Sequence, residues 1–213
     1  MGPDLGGLFY ALYVEIAWLH DKWREFSELF GTSAERVEVL NEAAPRFFGF
    51  LHDMMWEDIL LHISRVSDRP EIGNRENLTI LRLPDLIKDL SLRNEVQLLI
   101  DSATRNTLFA RDWRNRQIAH RDLDLALGHD SKRLDDANRL TVREAIDAID
   151  NVMYRLHSSY LGDGLSLEVL GGYGDAVDLL VLLEDGLRAR RERDARLSGG
   201  TPYPEDLKSS SRI

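Results

Sequence analysis

The chain has 213 residues, 43% hydrophobic and 30% charged, a balance that gives an ordinary folded protein with a sizeable core and excludes a disordered or fibrous one. It contains no Cys, which excludes a disulfide framework, a thiolate metal site and a cysteine nucleophile and accords with a reducing compartment. A net charge of −10 at pH 7 excludes a broad basic surface for duplex DNA, which needs many phosphate contacts, so any nucleic-acid role must be local.

The opening run MGPDLGGLFYALYVEIAW lacks a basic leader and carries Asp4 and Glu15, so no signal peptide is expected. No apolar segment reaches the roughly 20 residues needed to span a bilayer. A cytoplasmic protein without membrane contact is expected.

Leu8, Leu12, Ile16, Leu19, Trp23 and Phe26 recur at three- and four-residue spacings, predicting a helix from about Leu8 to Phe30 that Gly31 ends. Ser33 is placed to cap a second helix. That helix is predicted from about Ala34 to Val66, with Val37, Leu40, Ala44, Phe47/Phe48, Leu51, Met55, Ile59 and Ile63 on one side and with Pro45 kinking or splitting it. Residues 67–84, rich in Pro, Gly and Asn, read as a long irregular loop. A short helix is expected after Pro84, with Asp85 in its first turn. A long one follows over about Arg93 to Ala119, aligning Val96, Leu99, Ala103, Ala110 and Trp113. The polar stretch from Asp122 to Leu140 reads as a linker or hairpin. Thr141, with Glu144 three residues on, is predicted to open a helix to Leu161. A final helix, Asp175 to about Arg196, is expected to bury Val177, Leu180, Val181 and Leu187 before its basic end RARRER. These elements predict an all-α architecture, an up-and-down bundle of four to five helices in one domain, residues 1–197. A disordered tail, 198–213, is expected to follow.

One window stands against the global charge. From Ser102 to Arg121 there are five arginines, Arg105, Arg111, Arg114, Arg116 and Arg121, against one acid, Asp112, a local charge of +4. A reversal of sign of this kind can hold a phosphate by charge-assisted hydrogen bonds, although most charge runs are solvated helix faces. His120 adds an imidazole, a group that moves protons near neutrality, beside guanidinium groups that can fork onto a phosphate and stabilise developing charge. On an ideal helix Arg116 shares a face with His120, whereas Arg114 lies about 120° away around the axis. Arg114 therefore reaches a ligand of His120 through its length, a bent helix end or a second chain.

The segment Arg114-Asn115-Arg116-Gln117-Ile118-Ala119-His120, followed by Asp122, resembles the signature of the HEPN superfamily, in which an Arg, a polar residue and a His sit near a helix end. The runs Ile59-Leu60-Leu61-His62-Ile63-Ser64-Arg65-Val66-Ser67-Asp68 and Asn77-Leu78-Thr79-Ile80 extend the resemblance to HEPN-like domains associated with phage abortive infection, over about residues 55–125. The resemblance implies a HEPN-like bundle and a metal-independent endoribonuclease of a toxin–antitoxin or abortive-infection system, or a non-catalytic RNA- or protein-binding relative. It implies RNA as partner, a homodimer whose paired motifs form the cleft, an antitoxin protein as a further partner, and no cofactor or metal. Carried over residue by residue, His120 is the general acid/base for 2′-OH attack on the adjacent phosphate, Arg114 stabilises the phosphorane and Asn115 orients them. Arg111, Arg116, Arg121 and Asp122 would line the substrate site. Some members carry a Tyr two residues after the His; here that position is Asp122, so control by tyrosine modification is not supported, and Asp122 is either a cap or a partner orienting His120.

Other clusters carry less. His52, Asp53, Glu57, Asp58 and His62 share one helix, but no second helix supplies a matching Glu-x-x-His, so ion pairing and surface roles are expected in place of a di-metal site. Arg65 and Asp68, three apart, are expected to pair locally, with a dimer-interface role as the alternative. Trp18, Trp23, Trp56 and Trp113 read as core or interface anchors. The competing functional class is an acidic helical dimer that binds RNA or a partner protein without chemistry.

Overall fold

In the computed structural model, which describes residues 1–120, 122–128, 133–162, 164–167 and 173–207, the first helix, α1, runs from Pro3 to Phe30. It starts earlier than the sequence pattern indicates because Pro3 presets the helical φ at its first position and Asp4 complements the N-terminal dipole. Its buried stripe is Leu5, Phe9, Leu12, Ile16, Leu19, Trp23, Phe26 and Leu29; Leu8 is only half-buried. The Gly31 N–H closes onto the Ser27 carbonyl at 2.8 Å.

The expected second helix is two. α2 covers Ala34–Ala43 and α3 covers Pro45–Val66. Pro45 has no N–H to continue the ladder and pushes its predecessor out of the helical region; Ala44 sits at φ −160, ψ 74. The Ser33 side chain caps α2 by accepting from the Arg36 N–H at 3.4 Å.

The segment after α3 holds more order than its composition indicates. Glu71–Ile72 (β1) pairs antiparallel with Arg75–Glu76 (β2) around Gly73, whose φ of 62 suits a residue without Cβ. A 3-10 turn, Ile80–Arg82, leads into α4, Leu83–Leu86, which begins just before Pro84. The Thr79 hydroxyl donates to the Val66 carbonyl at 3.1 Å and ties this segment back to the end of α3.

The long helix expected over Arg93 to Ala119 is broken. α5 spans Leu90–Asn106, capped by Asp89, which accepts from the Leu92 N–H at 2.8 Å. Thr107 interrupts it: its hydroxyl turns back to the Ala103 and Thr104 carbonyls at 2.9 and 3.2 Å, and its backbone sits at φ −101, ψ 0. α6, Leu108–Trp113, follows and widens into a π turn over Arg114–Ile118, closed by the Ala119 N–H on the Arg114 carbonyl at 2.8 Å. The expected linker then forms a short helix, α7, Leu123–Leu127, which Gly128 ends in the left-handed region at φ 68. α8, Arg139–Leu161, opens on Asn138, with Thr141 as the reciprocal member of its capping box, so Thr141 stands inside the first turn. α9, Ala176–Ser198, is capped by Asp175.

Among the described residues there are nine α-helices and a single two-stranded sheet, an all-α fold. No helix there is long and apolar enough to cross a membrane.

The chain divides into two compact units, residues 1–24 with 53–170, and residues 25–52 with 171–213. In the first, α5 packs along α8. Leu92, Val96, Ile100 and Ala103 form the buried stripe of α5, and Val142, Ala145, Ile146, Ile149, Val152, Met153 and Leu156 that of α8. His20 and Asp150 pair at 2.9 Å, both largely buried. In the second unit α2 packs on α9, with Leu40, Leu180 and Leu187 buried and Arg191 paired to Glu42 at 2.7 Å. Val177 and Val181, expected in this core, are 40% and 54% exposed, and Ala176 is buried instead. The end of α9 is tied down by Arg196, which pairs with Asp206 at 2.8 Å and stacks over the Tyr203 ring at 4.7 Å.

Candidate functional site

The arginine window straddles the break at Thr107 and ends on the π turn, so its side chains fan out differently from those of one straight helix. A π turn inserts an extra residue and shifts the faces that follow it, a deformation that recurs at functional positions. Arg114 is the first residue of that turn, Asn115 and Arg116 follow, and His120 lies just beyond its last residue, where the chain bends.

Arg114 is held at two of its nitrogens. Nη1 donates to Asp68 Oδ2 in a close ion pair, and Nε donates to Asn115 Oδ1 at 3.0 Å. Nη2 has no hydrogen-bond partner among the described residues. Arg111 Nη2 donates to the Ser67 carbonyl at 2.7 Å, while its Nε is buried without a partner among the described residues. Both guanidinium groups are thereby fastened to the end of α3. The expected Arg65–Asp68 pair does not form: Arg65 pairs with Glu15 at 3.1 Å, which frees Asp68 for Arg114. The run ending in Ser67-Asp68 and the arginine window, far apart in sequence, meet here. Sequence reading missed Asp68 as a partner because the spacing to Arg65 offered a nearer cation.

Arg116 lies 3.5 Å from Asp112 and 4.0 Å from Asp122. Asp112 also accepts from the Asp135 N–H at 3.1 Å, and Trp113 Nε1 donates to the Asp135 carbonyl at 2.8 Å, so residues approaching α8 are laced to α6. Asp122 caps α7 by accepting from the Leu125 N–H at 2.9 Å, and its own N–H reaches the Arg116 carbonyl at 2.9 Å. Of the two roles open to Asp122, it fills that of a cap. His120 is exposed and makes no hydrogen bond among the described residues. Arg105 and Asn115 are exposed as well. Arg121 lies outside the described residues.

Two of the arginines are thus matched by acids: Arg114 by Asp68, just past the end of α3, and Arg116 by Asp112 in α6 and by Asp122 beyond the π turn. Among the described residues, Nη2 of Arg114 has no partner and stays open to an anion, with an exposed imidazole on the same short segment.

The residues of the rival metal cluster are spread apart. The His52 ring packs against Phe26 and Phe30 at 5.3 and 5.1 Å, and Asp58 pairs with Lys22 at 2.7 Å. Among the described residues no group of three or more His, Asp or Glu could hold a metal ion. Trp23 is buried, whereas Trp18 is 58% exposed, so the tryptophans do not share one role.

His62, expected at the surface, is buried at 2% exposure. Its Nε2 stands 3.2 Å from Glu15 Oε2, yet neither ring nitrogen has hydrogen-bonding geometry to a partner among the described residues. Burial, then the nearby Lys22 and Arg65 cations, push it down to about 4, against weaker opposition from Glu15 and Asp58. The unfolded chain takes up this proton below about 6.5 and the folded chain only near 4, so stability is lost as pH falls through that window. The loss is about 3 kcal/mol at its limit. Urea titrations of the protein and of His62→Leu at stepped pH are expected to show a shallower acid loss in the variant; parallel profiles would remove His62 from the account.

Comparison with known proteins places a match to the family model described as AbiU2, of the HEPN type, over residues 2–179. No curated protein and no solved structure matches the chain.

Proposed function

Because the chain belongs to the AbiU2 family of HEPN-type abortive-infection domains, we propose that it is a metal-independent endoribonuclease of a phage-defence or toxin–antitoxin system, acting on RNA in the cytoplasm. The observation that carries this reading is His120, exposed and without a hydrogen bond among the described residues, two residues beyond a π turn whose first residue is an arginine with one nitrogen unengaged among those residues.

In this reading a ribose 2′-OH attacks the adjacent phosphorus while His120 takes its proton, and the 5′-oxygen departs with a proton from an acid on its other side. The products are a 2′,3′-cyclic phosphate and a 5′-hydroxyl. Arg114 Nη2 meets the charge that builds on the non-bridging oxygens, and Asn115 keeps the guanidinium plane fixed through its bond to Nε. Arg116 and Arg121 engage neighbouring phosphates, Arg111 holds the end of α3, and Asp122 shapes the turn below His120. One chain supplies one such histidine; a homodimer that pairs two motifs across a shared cleft supplies the second proton-transfer group. An antitoxin protein covering that cleft is the matching control.

A second reading, a non-catalytic module that binds RNA or protein, is favoured by the ion pairs that already occupy Arg114 and Arg116. The two are separated by incubating purified protein with single-stranded RNA in excess chelator. Fragments ending in cyclic phosphate are expected; intact RNA bound to a stable dimer would favour the module.

A further inference from the structure

Asp68 lies outside the Arg/His motif, yet that motif is fastened to it. Its side chain is only 10% exposed. Oδ2 accepts from Arg114 Nη1, and Oδ1 accepts from the Arg69 N–H at 2.9 Å. The residue before it is fixed in turn: Ser67 is fully buried, its hydroxyl donates to the Ile63 carbonyl at 2.8 Å, and its carbonyl holds Arg111. The end of α3 is therefore a rigid ledge that grips two guanidinium groups from α6 and the π turn.

A carboxylate in this position weakens the pull of Arg114 on an anion, because it cancels charge. What it supplies is direction. An arginine held at Nη1 and Nε has lost the freedom of its long side chain, and its planar fork then aims Nη2 along one line. We propose that Asp68 is a positioning residue for phosphate recognition, orienting Arg114 so that Nη2 meets a non-bridging oxygen of the scissile phosphate. The proposal rests on the ribonuclease reading above. It separates rate from affinity: without Asp68 the guanidinium keeps its charge and attracts RNA at least as well, but no longer points at the reacting phosphate.

The test uses the full chain with Asp68→Asn and Asp68→Glu, measuring single-turnover cleavage of a single-stranded RNA. In parallel, fluorescence anisotropy gives binding of the same sequence carrying 2′-O-methyl groups throughout, which cannot be cut. Asp68→Asn is expected to slow cleavage about 100-fold with binding of the methylated RNA undiminished, and adding Arg114→Lys is expected to cost little more, since each change alone already takes the aimed Nη2 away from the phosphate. Asp68→Glu keeps the charge and recovers part of the rate. Undiminished cleavage by Asp68→Asn, or fully additive losses in the double variant, overturns the proposal. Should Asp68→Asn fail to fold, a rate for Asp68→Glu equal to that of the unmodified protein does the same. Failure of the unmodified protein to cut RNA overturns the ribonuclease reading instead. The orientation claim is then decided by the nitrogen-15 resonance of Arg114 Nε–H: slow exchange lost in Asp68→Asn upholds it, and an unchanged resonance overturns it.

Discussion

Replacing His120 by alanine is expected to slow RNA cleavage by at least about 1,000-fold, the upper part of the range for a positioned proton-transfer group, while leaving the melting temperature where it was. The separation of the two readouts follows from the position of the ring. His120 is exposed and bonded to nothing among the described residues, so its removal leaves no cavity and no orphaned polar group. Cleavage that persists at the original rate, measured on the same RNA in chelator, would take proton transfer away from His120. A parallel loss of folding cooperativity would recast it as a structural residue.

Arg114→Ala is expected to cost heavily in two currencies at once. The rate should fall by about 100- to 1,000-fold, as for removal of a donor aimed at developing charge. Stability should fall by about 2 kcal/mol, because Asp68, only 10% exposed, is left without its cation. Arg114→Lys divides the two effects. A lysine still offers a cation to Asp68 and recovers most of the stability, but it has no fork to hold against Asn115 and present to a phosphate, so the rate stays low. Thermal melts and single-turnover rates on the three proteins check this. Equal recovery of both readouts by lysine would mean that Arg114 acts only as a charge.

These effects hang on contacts that sequence spacing reveals unevenly. The apolar repeats of α1, α5 and α8 are periodic enough to give the helices and the all-α class, since burying one stripe per helix is what the residues at three- and four-residue spacings do. Local chemistry also made the split at Pro45 and the cap at Ser33 readable. The break at Thr107 was not, because a threonine inside a helical pattern gives no sign of whether its hydroxyl will turn back to Ala103 and Thr104. The π turn was hidden for the same reason: an inserted residue leaves the composition unchanged and alters only which side chains share a face.

The candidate site divides along the same line. The arginine window, Asn115 and His120 stand out as a charge reversal in an acidic chain and through their resemblance to a HEPN motif. Their partners do not, because pairing between residues as distant as Asp68 and Arg114 is decided by the tertiary fold. Arg65 is the nearer cation to Asp68 in sequence, but Glu15 on α1 takes it. His62 shows the converse. On charge alone its neighbours suggested a surface cluster, yet the packing around it puts the ring in the interior.

The most direct measurement is cleavage of a single-stranded RNA in which the nucleotide 5′ to the preferred cut carries hydrogen in place of its 2′-OH. Chelator is kept in excess, and the unmodified RNA is cut in parallel. Loss of that one cut, with the remaining sites cleaved as before, is the result expected if the ribose oxygen is the nucleophile that His120 deprotonates. Undiminished cutting at the deoxy position would contradict it.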